Sequence, residues 1–226
     1  MKILKFAKFL IKKASVVILF FTLPSCSVMM PLFFGLQEID GYNAEQCAKF
    51  YKKLPKDFVF TPIVCNDEQY FQVSELGTDS MQMKDLYQPL KIMVFHGDSL
   101  VSFHINCKCP PTALFNLNWN YWHQFDEFPP ATTVPLEGYT VSRNQLMTIF
   151  PEIKGDADYT VLVFWTNMLN KISRSEIKTV HKNLKKFGPS TLRQASGTAG
   201  SGALDYSKVE VYLINDDITM TQSLNE

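Results

Sequence analysis

The run Tyr159-Thr160-Val161-Leu162-Val163-Phe164-Trp165 narrows the folds open to this chain more than any other stretch. It carries no charge and no alternating polar face, so a strand made of it is covered on both sides. A helical pattern follows from about Asn170 to Phe187, ended by Gly188-Pro189. Ile177, Val180, Leu184 and Phe187 form its apolar stripe, with Lys178, Lys182, Lys185 and Lys186 outside it. Ser173-Arg174-Ser175-Glu176 fits a capping box, with Asn170 as the competing cap, and His181 reads as a solvated residue. A further apolar run, Val209 to Ile214, closes with Asn215-Asp216-Asp217. Strand, helix and parallel strand in this order make a right-handed crossover. The expected class is α/β, mixed α+β once the upstream strands are counted.

Upstream, Ala44, Cys47, Phe50-Tyr51 and Leu54 recur at helical spacing until Pro55 stops them. Phe58 to Cys65 and Tyr70 to Leu76 read as short β-rich runs. Leu90 to Phe95 and Leu100 to Cys107 are stronger, and His96-Gly97-Asp98-Ser99 between them predicts a hairpin. In the second of these, Val101, Phe103, Ile105 and Cys107 alternate with Ser102, His104 and Asn106, the pattern of a half-buried strand. His96 and His104 are expected as unpaired surface residues. Residues 109–135 form an aromatic and proline-rich connector holding Trp119, Tyr121, Trp122, Phe125 and Phe128. Such density favours packing over a joint, with ring stacking on a sugar or aromatic ligand as the functional reading. His123, Asp126 and Glu127 within it specify no chemistry by themselves.

The amino terminus sets the expected location. Lys2, Lys5, Lys8, Lys12 and Lys13 precede the apolar run Val16 to Phe21, which ends in Leu23-Pro24-Ser25-Cys26. A basic region, an apolar region and a small residue before a cut site make a secretory signal. With Cys26 after the small residue, it resembles the bacterial lipoprotein signal, which implies acylation of Cys26 as the mature N-terminus. Ser27, with no acidic residue before Glu38, is similar to the pattern that leaves lipoproteins in the outer membrane, facing the periplasm. The competing reading is an uncleaved apolar helix over 14–35, against which Pro24 and Pro31 argue. Either way the positive-inside rule puts the body outside the cytoplasm. Removing 1–25 leaves 17 basic against 22 acidic side chains, a formal charge of −5. A mildly acidic body gives no reason to expect nucleic acid or anionic lipid as partner.

Four further cysteines, Cys47, Cys65, Cys107 and Cys109, stand in a chain expected to be exported, where disulfides are permitted. The structural reading is that Cys107 and Cys109 pair with Cys47 and Cys65 or sit buried and reduced. The functional readings are thiol exchange at Cys107-Lys108-Cys109, or copper or zinc binding by His104, Cys107 and Cys109.

Residues 134–217 carry a family pattern. Leu136-Glu137-Gly138-Tyr139-Thr140-Val141 is followed by a helix from Ser142 through Phe150, then the strand ending Phe164-Trp165, the long helix and the strand closing at Asn215-Asp216-Asp217. This resembles the first half of the exported thioredoxin-like thiol–disulfide oxidoreductases. The resemblance implies an active-site Cys-x-x-Cys at positions 169 and 172, where this chain has Leu169 and Ile172. It also implies a second half of the fold after residue 217, where nine residues remain. The domain expectation is therefore a signal at 1–25, an anchor and tether at 26–42, a β-rich region with one helix at 43–108, the connector at 109–135, and an incomplete, degenerate thioredoxin-like half at 136–226. A small-residue run marks a flexible insert at 188–207. The expected function is a membrane-anchored envelope lipoprotein acting as a non-catalytic binding or structural module, with no cofactor and no nucleic-acid partner. The alternatives are the redox protein using Cys107 and Cys109 and the copper or zinc protein.

Overall fold

The structure, a computed structural model, describes residues 36–110, 117–188 and 208–222. Cys26, the expected signal and nearly all of the expected insert lie outside the described residues.

The chain forms helix α1 (Ala44–Tyr51), strand β1 (Thr61–Val64), helices α2 (Asp67–Glu75) and α3 (Ser80–Leu86), and the hairpin strands β2 (Lys91–His96) and β3 (Ser99–Ile105). Helix α4 (Arg143–Ile149), strand β4 (Tyr159–Trp165), helix α5 (Asn170–Phe187), strand β5 (Val209–Asn215) and helix α6 (Asp217–Gln222) follow. All five strands join one mixed sheet in the order β1-β5-β4-β2-β3. β1, β5 and β4 run parallel, while β2 is antiparallel to both β4 and β3. Strands from either side of the 109–135 connector thus share one sheet. β4 lies at its centre, as its uninterrupted apolar run requires.

Each face of the sheet is covered. Leu162 and Phe164 of β4 join Met93, Phe95, Phe103, Tyr70 and Phe150 in one core. Val161, Val163 and Trp165 join Phe50, Trp119, Phe125, Ile177 and Leu184 in the other. The Phe50 ring stacks on Trp165 with centroids 3.9 Å apart and planes 13° from parallel. That contact ties α1 to the carboxyl end of β4. At the hairpin tip Gly97 takes φ +57°, a conformation that favours glycine, and Asp98 Oδ1 accepts the backbone N–H of Asn144 at 2.7 Å. Ser142 caps α4 with a complete capping box to Gln145, so the hairpin tip docks on a well-defined helix start.

Several expectations are corrected. Tyr70 to Leu76 lies mostly in helix α2, not in a strand. Asn66 and Gln69 form a reciprocal capping box, and Tyr70, Val73 and Ser74 bury at helical spacing. Strand β3 is not half-buried. Phe103 and Ile105 face one core, while Ser102 and His104 are buried beneath Phe125 of the connector, whose ring centroid is 4.6 Å from that of His104. His104 is therefore no surface histidine. Its Nε2 lies 2.9 Å from Ser102 Oγ, and burial pulls its pKa down to about 3. His181 is not solvated either: it is 6% exposed, with Nε2 3.2 Å from Asp57 Oδ1. The proposed box at Ser173–Glu176 falls inside α5, whose N-cap is Leu169.

Candidate functional site

The central parallel strands β4 and β5 both end at the same edge of the sheet, and so do β1 and the start of β2. Open parallel sheets place their sites outside the carboxyl ends of their strands, because loops there leave in opposite directions. This chain gathers its buried polar residues at that edge.

Thr166 and Asn167 follow β4, while Asp216 and Asp217 follow β5. Asp217 Oδ1 accepts the Thr166 hydroxyl at 2.8 Å and the Asn167 backbone N–H at 2.6 Å. Its Oδ2 accepts from Asn167 Nδ2 at 2.7 Å. Asn170 Nδ2 donates to Asn167 Oδ1 at 3.1 Å, and Ser173 Oγ donates to the Thr166 carbonyl at 2.9 Å. The first turn of α5 is fixed to the strand ends through these bonds. Across the edge, Asn167 Nδ2 also reaches Cys47 Sγ at 3.5 Å.

Beside this network are three buried ionisable groups. Lys91 opens β2 on the same face as Met93 and Phe95, and its side chain is fully buried. Its Nζ donates to the Gln88 carbonyl at 2.9 Å and lies 4.0 Å from the Phe164 ring centroid and 4.5 Å from that of Tyr70. Burial pulls its pKa down to about 8, against the opposing pull of Asp216, Cys65 and Glu176. Glu176 and Asp216 are also fully buried. Among the described residues, neither carboxyl has a hydrogen-bond partner for either oxygen. Burial drives both pKa values far up; Asp216 adds to the rise at Glu176, Asp217 adds to that at Asp216, and Lys91 opposes both. Burial thus favours the neutral form of both carboxyls, and the Lys91 ammonium opposes it.

Sequence reasoning missed Lys91, Glu176 and Asn167. The signal for Glu176 was its position four residues before Val180, on the apolar side of α5. Lys91 gave no such signal, because a lysine opening an apolar strand usually points to solvent.

A search of protein-family models, curated proteins and solved structures returned no match to this chain.

The residues singled out for chemistry are dispersed. Leu169 is the N-cap of α5 and Ile172 is buried in the core two residues beyond its first. Position 169 thus meets the helix end where amide groups depress a thiol's pKa, but it carries no thiol. Cys47, Cys65 and Cys109 are buried thiols, and Cys107 is exposed; none forms a disulfide. Cys65 packs in one core, whereas Cys47 and Cys109 pack in the other, across the sheet. Of the two structural alternatives, bridge or buried reduced thiol, Cys47, Cys65 and Cys109 stand here as buried thiols. Burial pushes Cys47 up to about 11 and Cys65 and Cys109 up to about 12. Cys107 is also raised, by burial and by Asp85. His104, Cys107 and Cys109 do not converge, and no metal-holding group of three such residues occurs among the described residues. In the connector, His123 Nδ1 lies 2.7 Å from Asp126 Oδ2 at the surface. Trp119 and Phe125 pack inward there, while Tyr121 and Trp122 stay exposed.

Proposed function

We propose that this chain is an exported envelope lipoprotein, anchored through acylated Cys26, whose folded body is a non-catalytic binding or structural module on a degenerate thioredoxin-like scaffold. The observation carrying this reading is the start of α5. The helix end that would activate a nucleophile carries Leu169 and Ile172, and the thiol that the polar network around it touches, Cys47, is buried with its pKa pushed up to about 11. Thiol exchange needs a thiolate within reach of a disulfide.

The order of the sheet supports the scaffold assignment. β4, α5 and β5 form the crossover read from the sequence, and the β2–β3 hairpin adds antiparallel strands on the other side of β4. An upstream hairpin thus occupies the side of β4 away from β5. Fold-level likeness alone does not establish activity.

The redox alternative rests on the exposed Cys107. Its neighbour Cys109 is 7% exposed with a strongly raised pKa, a poor partner for exchange. The test is reduction of insulin, or of a small model disulfide, by the full chain in the presence of dithiothreitol. The expected result is no turnover above the reagent alone. Turnover that disappears in Cys107→Ser would transfer the function to that thiol. Turnover that survives loss of both Cys107 and Cys109 would overturn the scaffold's inactivity altogether.

A further inference from the structure

We propose that the outer face of α5 is a docking surface for an anionic phospholipid membrane. Lys171, Arg174, Lys178, Lys182 and Lys186 recur at spacings of three and four. On an α-helix they fall within an arc of about 120° and span about 22 Å. The four lysines are exposed and Arg174 is half-buried. The helix's one acidic residue, Glu176, is buried on the opposite side. Among the described residues, no carboxylate lies within ion-pair distance of Lys171, Lys178 or Lys182. The nearby acids are engaged elsewhere: Asp57 with Lys185 at 2.7 Å and His181, Asp126 with His123 and Asn120. A body of net charge −5 has thus segregated a continuous row of cations onto one helix face. The composition alone hid this, because it averages over the surface.

Two features choose a lipid surface. Lys171, Arg174, Ser175 and Lys178 line an open recess of about 300 Å³, ample for a headgroup phosphate. At the other end, the connector loop and α5 share a groove of about 330 Å³ lined by Asn118, Asn120, Lys182 and Lys186, with the Asp126 carboxylate, held by His123 and Asn120, also on its wall. The same loop exposes Tyr121 and Trp122, 54% and 58% accessible, in edge contact with each other. Exposed amphipathic rings on the loop that borders the groove of Lys182 and Lys186 match the headgroup boundary of a bilayer, where rings sit between water and acyl chain. Aromatics beside cations also suit single-stranded nucleic acid. Export, as read in the proposed function, places the body beside phospholipid rather than nucleic acid, and the choice of partner rests on that reading.

The test is flotation of the full chain with vesicles of phosphatidylcholine alone and with vesicles in which phosphatidylglycerol replaces part of it. The anchor partitions into both kinds, so the difference between them reports the α5 face. Binding should be tighter to the anionic vesicles, and the excess should vanish at high salt. Each lysine near an anionic surface contributes about fivefold, so Lys178→Glu with Lys182→Glu should weaken the excess about 25-fold or more. Both positions are solvent-exposed, and an unchanged far-UV circular dichroism spectrum verifies that the variant is folded. Equal binding to both vesicles overturns the docking surface and leaves the anchor standing. Binding to neither overturns both. Tighter binding to a single-stranded oligonucleotide than to anionic vesicles replaces the membrane with nucleic acid.

Discussion

Asp217 receives three hydrogen bonds from the turn after β4, two of them from Asn167, whose backbone N–H and side-chain amide stand 2.6 and 2.7 Å from its carboxylate oxygens. A single side chain, two residues beyond β5, therefore fixes the loop that leads into α5. Asp217 is 1% exposed and Asn167 2%, so no water replaces these bonds if they are lost.

Asp217→Ala strands the Thr166 hydroxyl and both Asn167 donors in the interior. Buried polar groups left without partners cost about 1–3 kcal/mol each, so a loss of about 3 kcal/mol or more is expected in urea unfolding. Asp217→Asn keeps one acceptor but turns an NH₂ group toward a donor, and should cost less than Asp217→Ala.

The buried carboxyls give stability a pH dependence with a definite sign. Glu176 and Asp216 are both raised far above the carboxylate range, chiefly by burial. The folded chain keeps their protons where the unfolded chain has released them. Their contribution is complete below the unfolded pKa of about 4 and is lost as pH rises toward the folded values, by at most about 1.4 kcal/mol per pH unit each. Relative to the parent, Asp216→Asn and Glu176→Gln should gain stability as pH is raised from about 5 to about 8. Unfolding midpoints at both pH values check this; a difference that stays flat would show that the carboxyls titrate normally, and one that falls that folding lowers their pKa values.

Phe50 connects α1 to the sheet through its stack on Trp165. Both rings are buried, at 1% and 0% exposure. Phe50→Ala should cost about 3–5 kcal/mol and lower the thermal midpoint. Hydrogen exchange should then quicken first across α1, while β2 and β3 stay protected.

Much of this arrangement was legible in the amino-acid order. The apolar run 159–165, the stripe of α5 and the alternation around His96-Gly97-Asp98-Ser99 each carry one period, and each became the element that period dictates. Ser142 opens the helix read through Phe150, and α4 spans Arg143–Ile149. Residues 70–76 misled because Tyr70, Phe71 and Val73 have strand propensity, and the Asn66–Gln69 capping box outweighed it. The buried ionisable groups were illegible for another reason. Whether Lys91 points into a core depends on what packs over β2, here Tyr70 from α2, and no local pattern states that. His181 likewise became buried only because Phe58 and Asp57 fold back over α5.

Thiol accessibility should separate the four described cysteines. Cys107 is exposed, whereas Cys47, Cys65 and Cys109 are at most 7% exposed with raised pKa values. Maleimide labelling of the reduced, folded protein should mark Cys107 and spare those three, and denaturant should expose them together. Rapid labelling of Cys109 in the folded state would revive the redox reading.

Peptide mass mapping of the unreduced protein, recovered from the cells that make it, examines anchor and thiol inactivity together. The expected result is an amino-terminal peptide beginning at acylated Cys26, with Cys47, Cys65 and Cys109 present as reduced thiols. An unmodified Cys26 inside an intact amino-terminal segment would contradict the lipoprotein assignment, and a reversible bridge between Cys107 and Cys109 would contradict the absence of thiol chemistry.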